Sequence, residues 1–350
     1  MYFLNGGTAC LIVISDYLQD HGINRILLPS YLCPTIVNTF EKRGISCSFY
    51  RVNEDLSLDL EDLDQKISGF QAVYFINYFG FIQSPASRQY FSNLQKRGCI
   101  VVEDNAQTGF VNEPTGDFIL NSFRKLCAHD GGYLITPHDL SPYLEKYRGL
   151  PNRRLPLIRR YREDLAAYLF DDHGSPDDLD DLFNQAEEDY VNDLVVLGDP
   201  HERYQIEHID WQSIRQIRRD NYAYLLSLIS EIPEINPIFP ELKTDQTPLG
   251  LPIYFHGVDR DLVNEELGKV GIGLTIHWDD LRFNPLTRVN RQTVDMASRI
   301  LTLAIDQRIS HKQMDYLAYN LMRGIGIVQQ NGRKEIESPA RCSISKIQPD

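Results

Sequence analysis

The chain has 350 residues, with 49 acidic against 35 basic side chains and a formal net charge of −14. That length holds a large α/β domain with a smaller partner, and 42% hydrophobic with 24% charged residues exclude a disordered chain, a collagen-like repeat and a disulfide scaffold. The acidic balance argues against nucleic acid and anionic membranes as partners, since both are polyanions.

In chain order, short apolar runs alternate with stretches of helical length as far as about residue 136. Ile26-Leu-Leu, Ser48-Phe-Tyr-Arg-Val, Ala72-Val-Tyr-Phe-Ile, Ile100-Val-Val-Glu and Tyr133-Leu-Ile-Thr read as strands, and Ala9 to His21 and Ser87 to Arg97 as helices between them. This alternation predicts an α/β fold with a mostly parallel sheet covered on both faces, its ligands at the carboxyl ends of the strands. Residues 141–200 break the pattern: Lys146, Arg148, Arg153, Arg154, Arg159 and Arg160 precede a segment, 161–200, that carries −12 of the net charge. Pro176-Asp-Asp-Leu reads there as a helix start with acids at the end the dipole favours. We read this excursion as a solvated surface.

A long helix is expected from Asp210 to Ile229, including Arg215, Arg218 and Arg219. Past Pro233, Ile253-Tyr-Phe-His reads as a strand, and Asp259 to Val270, Ala297 to Leu301 and Lys312 to Met322 as helices. The expected division is a large domain over 1–209, a smaller α/β domain over 210–328 and a flexible polar tail over 329–350. Six cysteines without a C-x-x-C pair read as buried free thiols, and no metal site is expected. The N-terminus lacks a basic region followed by a long apolar run, and no stretch reaches the roughly 20 apolar residues of a membrane span. A cytoplasmic protein is expected.

Three local signals carry chemistry. Asn5-Gly-Gly-Thr-Ala-Cys-Leu is a small-residue turn leading into a helix, and free N–H groups with a threonine hydroxyl at a helix start suit a phosphate; a tight turn capped by Thr8 is the plainer alternative. Ile100-Val-Val-Glu-Asp-Asn-Ala-Gln is a buried strand that delivers Asp104 and Gln107 at its carboxyl end. A carboxylate there keeps a pyridine nitrogen protonated, or it caps the next turn. Ser122-x-x-Lys125 at a strand end supplies the hydroxyl and the Schiff-base lysine that pyridoxal phosphate enzymes require, although a surface lysine is the default for so short a motif.

Gly7-Thr-Ala-Cys-Leu, Pro29-Ser-Tyr-Leu-Cys-Pro, Glu103-Asp-Asn-Ala-Gln, Gly116-Asp, Ser122-Phe, Lys125 and Gly131-Gly132 follow one another in a set order. Val258-Asp-Arg-Asp-Leu, His277-Trp and Ala297-Ser-Arg-Ile-Leu-Thr-Leu come later. In these residues the sequence resembles the DegT/DnrJ/EryC1/StrS group, the sugar aminotransferase family of fold type I pyridoxal phosphate proteins. The resemblance implies a large domain with a mostly parallel sheet flanked by helices, a smaller α/β C-terminal domain and a homodimer.

It further implies Lys125 as Schiff-base lysine and proton shuttle, Asp104 at the pyridine nitrogen, and Gln107 beside the ring's phenolic oxygen. Gly7, Thr8, Ala9 and Ser122 would hold the phosphate of pyridoxal 5'-phosphate. Cys33 stands where the family carries an aromatic over the ring, which leaves Tyr31 or Tyr78 for that place. Arg124 is open to a phosphate or substrate carboxylate, or to a salt bridge with Asp117 or Asp130. His129 and His277 are open to substrate contact, acid–base work or structural hydrogen bonds. Tyr31, Tyr78, Arg124 and His277 are therefore the candidate substrate contacts.

The implied activity is transfer of an amino group, from glutamate or a similar donor, to a keto sugar, nucleotide-linked, in polysaccharide or secondary-metabolite biosynthesis. The alternatives are an aminotransferase-like regulatory or scaffold protein without catalysis, and a pyridoxal enzyme acting on an amino acid.

Overall fold

The computed structural model describes residues 1–109, 111–171, 173–192, 196–283 and 290–337. The chain begins with β1 (Tyr2–Leu4), α1 (Gly7–Asp20), β2 (Arg25–Pro29), α2 (Pro34–Glu41), β3 (Ser46–Tyr50), α3 (Leu60–Ile67) and β4 (Ala72–Ile76). It continues with α4 (Pro85–Lys96), β5 (Ile100–Asn105), β6 (Phe118–Asn121), β7 (Gly132–Ile135) and α5 (Ser141–Leu144). These strands form one sheet in the order β1-β7-β6-β5-β4-β2-β3, with β3, β2, β4, β5 and β6 parallel and β7 and β1 antiparallel at the edge. Every residue of β4 is buried, as a strand covered by helices on both faces requires.

β1 escaped the sequence reading because three residues carry no period. It pairs with β7 from Tyr2–Leu134 to Leu4–Gly132. Gly132 is needed at that edge, because a Cβ there would lie 2.1 Å from the Asn121 carbonyl oxygen. The expected strand over Ser48 to Val52 lies two residues earlier, at Ser46–Tyr50 in register with β2.

After this sheet come α6 (Arg154–Asp171), α7 (Pro176–Asn192), α8 (Pro200–Glu207) and α9 (Trp211–Ile229). Next are β8 (Ile235–Pro237), β9 (Leu251–Phe255), α10 (Arg260–Gly268), α11 (Arg291–Arg299), β10 (Ile300–Leu303) and α12 (His311–Glu337). β10, β9 and β8 form a separate antiparallel sheet. The two sheets share one core, bridged for example by Phe81 stacked on Phe239 at 3.8 Å between ring centroids.

Two expectations change. Ala297 to Leu301 is not a helix: α11 ends at Arg299, and Ile300 and Leu301 pair with Tyr254 and Ile253 of β9. A short apolar run fits either period, and pairing across the sheet decides it. The tail expected from 329 does not start there, because α12 runs on to Glu337. Leu317, Leu321, Ile325 and Val328 carry one apolar stripe against the core past Met322. Residues 338–350 of that tail lie outside the described residues. Among the described residues no helix is long and apolar enough to cross a membrane.

Candidate active site

β4, β5 and β6 lie side by side and parallel, so their carboxyl ends open on one edge: Ile76 pairs with Asp104, and Asp104 with Leu120. Alternation sends Glu103 and Asp104 to opposite faces of β5. Glu103 accepts from the Thr115 and Gly116 N–H groups at 2.6 and 3.1 Å, so the Gly116-Asp motif serves the scaffold. Asp104 faces a pocket of about 760 Å³, open mouth included, whose wall also holds Gly7, Thr8, Cys33, Tyr74, Gln107, Ser122, Arg124, Lys125, Glu187 and Trp278.

Both oxygens of Asp104 are held, Oδ2 by the Tyr74 hydroxyl at 2.6 Å and Oδ1 by the Ala106 N–H at 2.7 Å. Burial raises its pKa, against these two bonds and the charge of Lys125. Lys125 closes a single 3₁₀ turn, Phe123–Lys125, right after β6. Burial lowers its pKa, with Arg124 adding to the effect and Cys33 and Asp104 opposing it. A buried ammonium of this kind gives up its proton more readily, which is what a nucleophilic amine requires.

α1 starts beside these groups with Gly6 as N-cap and no side-chain cap. Its first internal bond runs from the Cys10 N–H to the Gly6 carbonyl at 3.1 Å. The N–H groups of Gly7, Thr8 and Ala9 thus have no partner within the helix, where the dipole favours an anion. Gln107 shows most directly that the pocket is built for a ligand. Its Oε1 accepts from the Phe79 N–H at 2.9 Å, which orients the amide, while Nε2 is buried with no hydrogen-bond partner. Leaving a buried donor unpaired costs about 1–3 kcal/mol, and an acceptor on a bound molecule removes that cost.

Gly7, Thr8, Asp104, Gln107, Ser122, Arg124 and Lys125 therefore meet at one pocket. Ala9 does not line it: the residue is 2% exposed and packs in the core. Tyr31 and Tyr78 are not on the wall either. The chain turns inward after β2, so the Tyr31 hydroxyl donates to the His277 carbonyl and the Tyr78 hydroxyl to the Tyr31 carbonyl, and both rings are fully buried. The aromatic rings at the pocket are those of Tyr74 and Trp278.

His277 also lies off the wall, its Nδ1 2.9 Å from the Thr302 hydroxyl. Burial, with the charge of Lys125 adding to it, pushes its pKa down to about 3. At neutral pH the ring is therefore uncharged.

Arg124 meets neither Asp117 nor Asp130. Asp117 accepts from the Val101 N–H at 2.8 Å, Asp130 is taken by Arg154 and Arg162, and Arg124 Nη1 bonds Glu187 Oε1 at 2.7 Å. Arg154 Nη2 reaches the same oxygen at 3.0 Å. The charged excursion is thus not merely a solvated surface. It is a pair of packed helices, α6 and α7, that carries a carboxylate to the pocket wall. Burial raises the Glu187 pKa, but Arg124 and Arg154 outweigh it and hold the carboxyl below its ordinary value.

Sequence reasoning missed Tyr74, Trp278 and Glu187. For Tyr74 a signal was present, since it shares a face of β4 with Ile76, the register partner of Asp104.

No family model and no curated protein matches the sequence. Solved structures do match. The PMP form of Spr1654 from Streptococcus pneumoniae superposes with a TM-score of 0.69 at 14% identity, over 95% of this chain and 87% of that one. PseC of Helicobacter pylori, an aminotransferase involved in the biosynthesis of pseudoaminic acid, gives 0.68 at 15% identity over 93% and 86%. The sugar aminotransferase CalS13 from Micromonospora echinospora gives 0.65 at 17% identity over 92% and 87%. The chain has the fold of these proteins, the fold type I arrangement of a large, mostly parallel sheet with a smaller α/β unit.

Proposed function

We propose that the protein is a pyridoxal 5'-phosphate-dependent aminotransferase that moves an amino group, from glutamate or a similar donor, to a keto sugar, nucleotide-linked, in polysaccharide or secondary-metabolite biosynthesis. The observation that carries this reading is the meeting of Lys125, Asp104 and the unpartnered Gln107 amide in one pocket beside the open first turn of α1. The solved sugar aminotransferases of the same fold support it.

When bound, pyridoxal phosphate supplies an aldehyde for an amine and a ring that withdraws electrons from the substrate carbon. Lys125 Nζ, its charge disfavoured by burial, would be the nucleophile and would move the proton at that carbon. Asp104, oriented by Tyr74 and the Ala106 N–H, would keep the ring nitrogen protonated. Gln107 Nε2 would donate to the ring's oxygen side. The N–H groups of Gly7, Thr8 and Ala9 and the hydroxyls of Thr8 and Ser122 would hold the phosphate. Arg124, paired with Glu187, sets the charge at the wall where substrate enters.

We further propose a homodimer in the cytoplasm, with no nucleic acid or membrane partner. Cys10, Cys33, Cys47, Cys99 and Cys127 are all free thiols, as in a reducing compartment. Leu169 and Phe170, 61% and 83% exposed at the end of α6, are apolar surface that a partner subunit would cover.

An absorbance scan tests the central claim. Added pyridoxal phosphate is expected to give a band at the edge of the visible that borohydride abolishes and Lys125→Ala never shows, and glutamate is expected to bleach it. A chain that stays colourless and unlabelled overturns the reading.

A further inference from the structure

We propose that a second groove, next to the Lys125 turn, binds a phosphate or diphosphate group. The groove lies between the start of α9, a wall of Thr108, Gly109 and Asn112, and Thr244 and Thr247. Arg215 and Arg219, one helical turn apart, both line it. Each is anchored by neutral groups: Arg215 Nη2 donates to the Thr244 carbonyl, and Arg219 Nη1 to the carbonyls of Lys243 at 2.5 Å and Gln246 at 2.8 Å.

Among the described residues neither guanidinium meets a carboxylate at ion-pair distance. Asp220 on α9 is engaged by Gln216 at 2.8 Å, and Asp245, exposed in the 244–247 segment, makes no ion pair with Arg215 or Arg219 among the described residues. Elsewhere in this acidic chain Arg124, Arg154, Arg159, Arg260 and Arg282 each meet a carboxylate.

A third positive charge stands behind the groove. Arg218 is 2% exposed, and among the described residues its hydrogen bonds go to neutral acceptors: Gln307 Oε1 at 2.9 Å and the carbonyls of Pro248 and Leu249 at 3.3 and 3.0 Å. Gln307 in turn donates from Nε2 to the carbonyl of Leu126, a groove residue, at 2.9 Å, which ties that charge to the groove floor. Five N–H donors per guanidinium leave most of the Arg215 and Arg219 forks for a ligand, and a fork of this shape matches phosphate oxygens. Trp211 and Phe123, with ring centroids 5.1 Å apart, supply an aromatic wall. None of this depends on the pyridoxal reading.

The chain contains two tryptophans, Trp211 in this groove and Trp278 in the Lys125 pocket. In full-length Trp278→Phe, indole emission therefore reports on the groove alone. Titration with inorganic pyrophosphate is expected to change that emission saturably, with an affinity that falls as salt rises. Arg215→Gln should raise Kd roughly tenfold, and Arg215→Gln with Arg219→Gln further still. Asn112→Asp, which adds a carboxylate at the exposed rim and leaves both arginine anchors intact, should weaken binding too and covers the case in which the arginine variants fail to fold.

A parallel titration with UDP distinguishes the source of the group. Tighter binding than pyrophosphate assigns the site to a nucleoside-linked phosphate that packs on the aromatic wall; equal or weaker binding assigns it to a free anion. The proposal is overturned if no saturable change occurs, if none of the variants shifts Kd, or if Lys125→Ala abolishes the signal, since that would place the anion in the other pocket.

Discussion

The edge of the parallel sheet and the α6–α7 hairpin bring charged side chains to the same pocket by different means. Asp104 sits in the β5–β6 ladder and Lys125 in the 3₁₀ turn that follows β6, next to strand residues that are almost wholly buried. Glu187 sits on a helix pair whose own small core is Leu155, Ile158 and Ala186, and whose link to the Lys125 turn is ionic. That link runs from Arg124 through Glu187 to Arg154 and Asp130, then through Arg162 to Glu202. Groups on a rigid strand end can be placed for bond making, whereas an ion-paired wall tunes charge and can respond to salt and pH.

The largest expected effect lies on the sheet side. Lys125→Ala is expected to lower the transamination rate by about 10³-fold or more without unfolding the chain, measured as turnover alongside circular dichroism. Asp104→Asn, which keeps shape but loses the charge, is expected to cost about 10²-fold in kcat. Retention of full activity in either variant would break the assignment of chemistry to the strand ends.

The scaffold itself is tested by Gly80→Ala. Gly80 has φ +91°, and a Cβ there would lie 1.9 Å from the Thr247 carbonyl oxygen. A loss of about 2 kcal/mol or more in denaturant unfolding is expected.

On the hairpin side, Glu187→Gln removes the carboxylate shared by Arg124 and Arg154. Stability should fall by about 1–2 kcal/mol, with KM shifted more than kcat. The pH dependence of the wild type sharpens the contrast. Glu187 and Glu202 are both held below the ordinary 4.5, because arginines, and His129 for Glu202, outweigh burial. Their contribution is fully present above about 4.5 and is lost as the pH falls through the lower folded values. Limited proteolysis should therefore begin to cut the hairpin in acid before the sheet opens.

The smallest effect belongs to His277. With its pKa at about 3 it stays neutral across pH 5–8, so His277→Asn should leave the pH–rate profile in that window unchanged.

Much of the sheet-side site was legible in the sequence. Asp104 and Lys125 follow buried apolar runs at strand ends, and the Gly6-Gly7 turn precedes a helix, all within a few residues of the signal that reveals them. What failed was local reading of groups whose neighbours are remote. Tyr31 stands beside Pro29-Ser30, yet its hydroxyl finds the His277 carbonyl, and its ring is buried against Trp278 at 5.2 Å between centroids. Ala297 to Leu301 has helical spacing, yet β9 claims its second half.

The sequence by itself determined the alternation of strands and helices, the groups at the ends of β5 and β6, and the concentration of acid between 161 and 200. These follow from periodicity and burial, which act over a few residues. Only the tertiary structure decided that Arg124 pairs with Glu187 rather than Asp117 or Asp130, and that Glu187 of that segment lines the pocket. Which face of a charged helix meets a distant loop depends on how whole elements pack, and a surface carboxylate carries no local mark of the guanidinium it will meet.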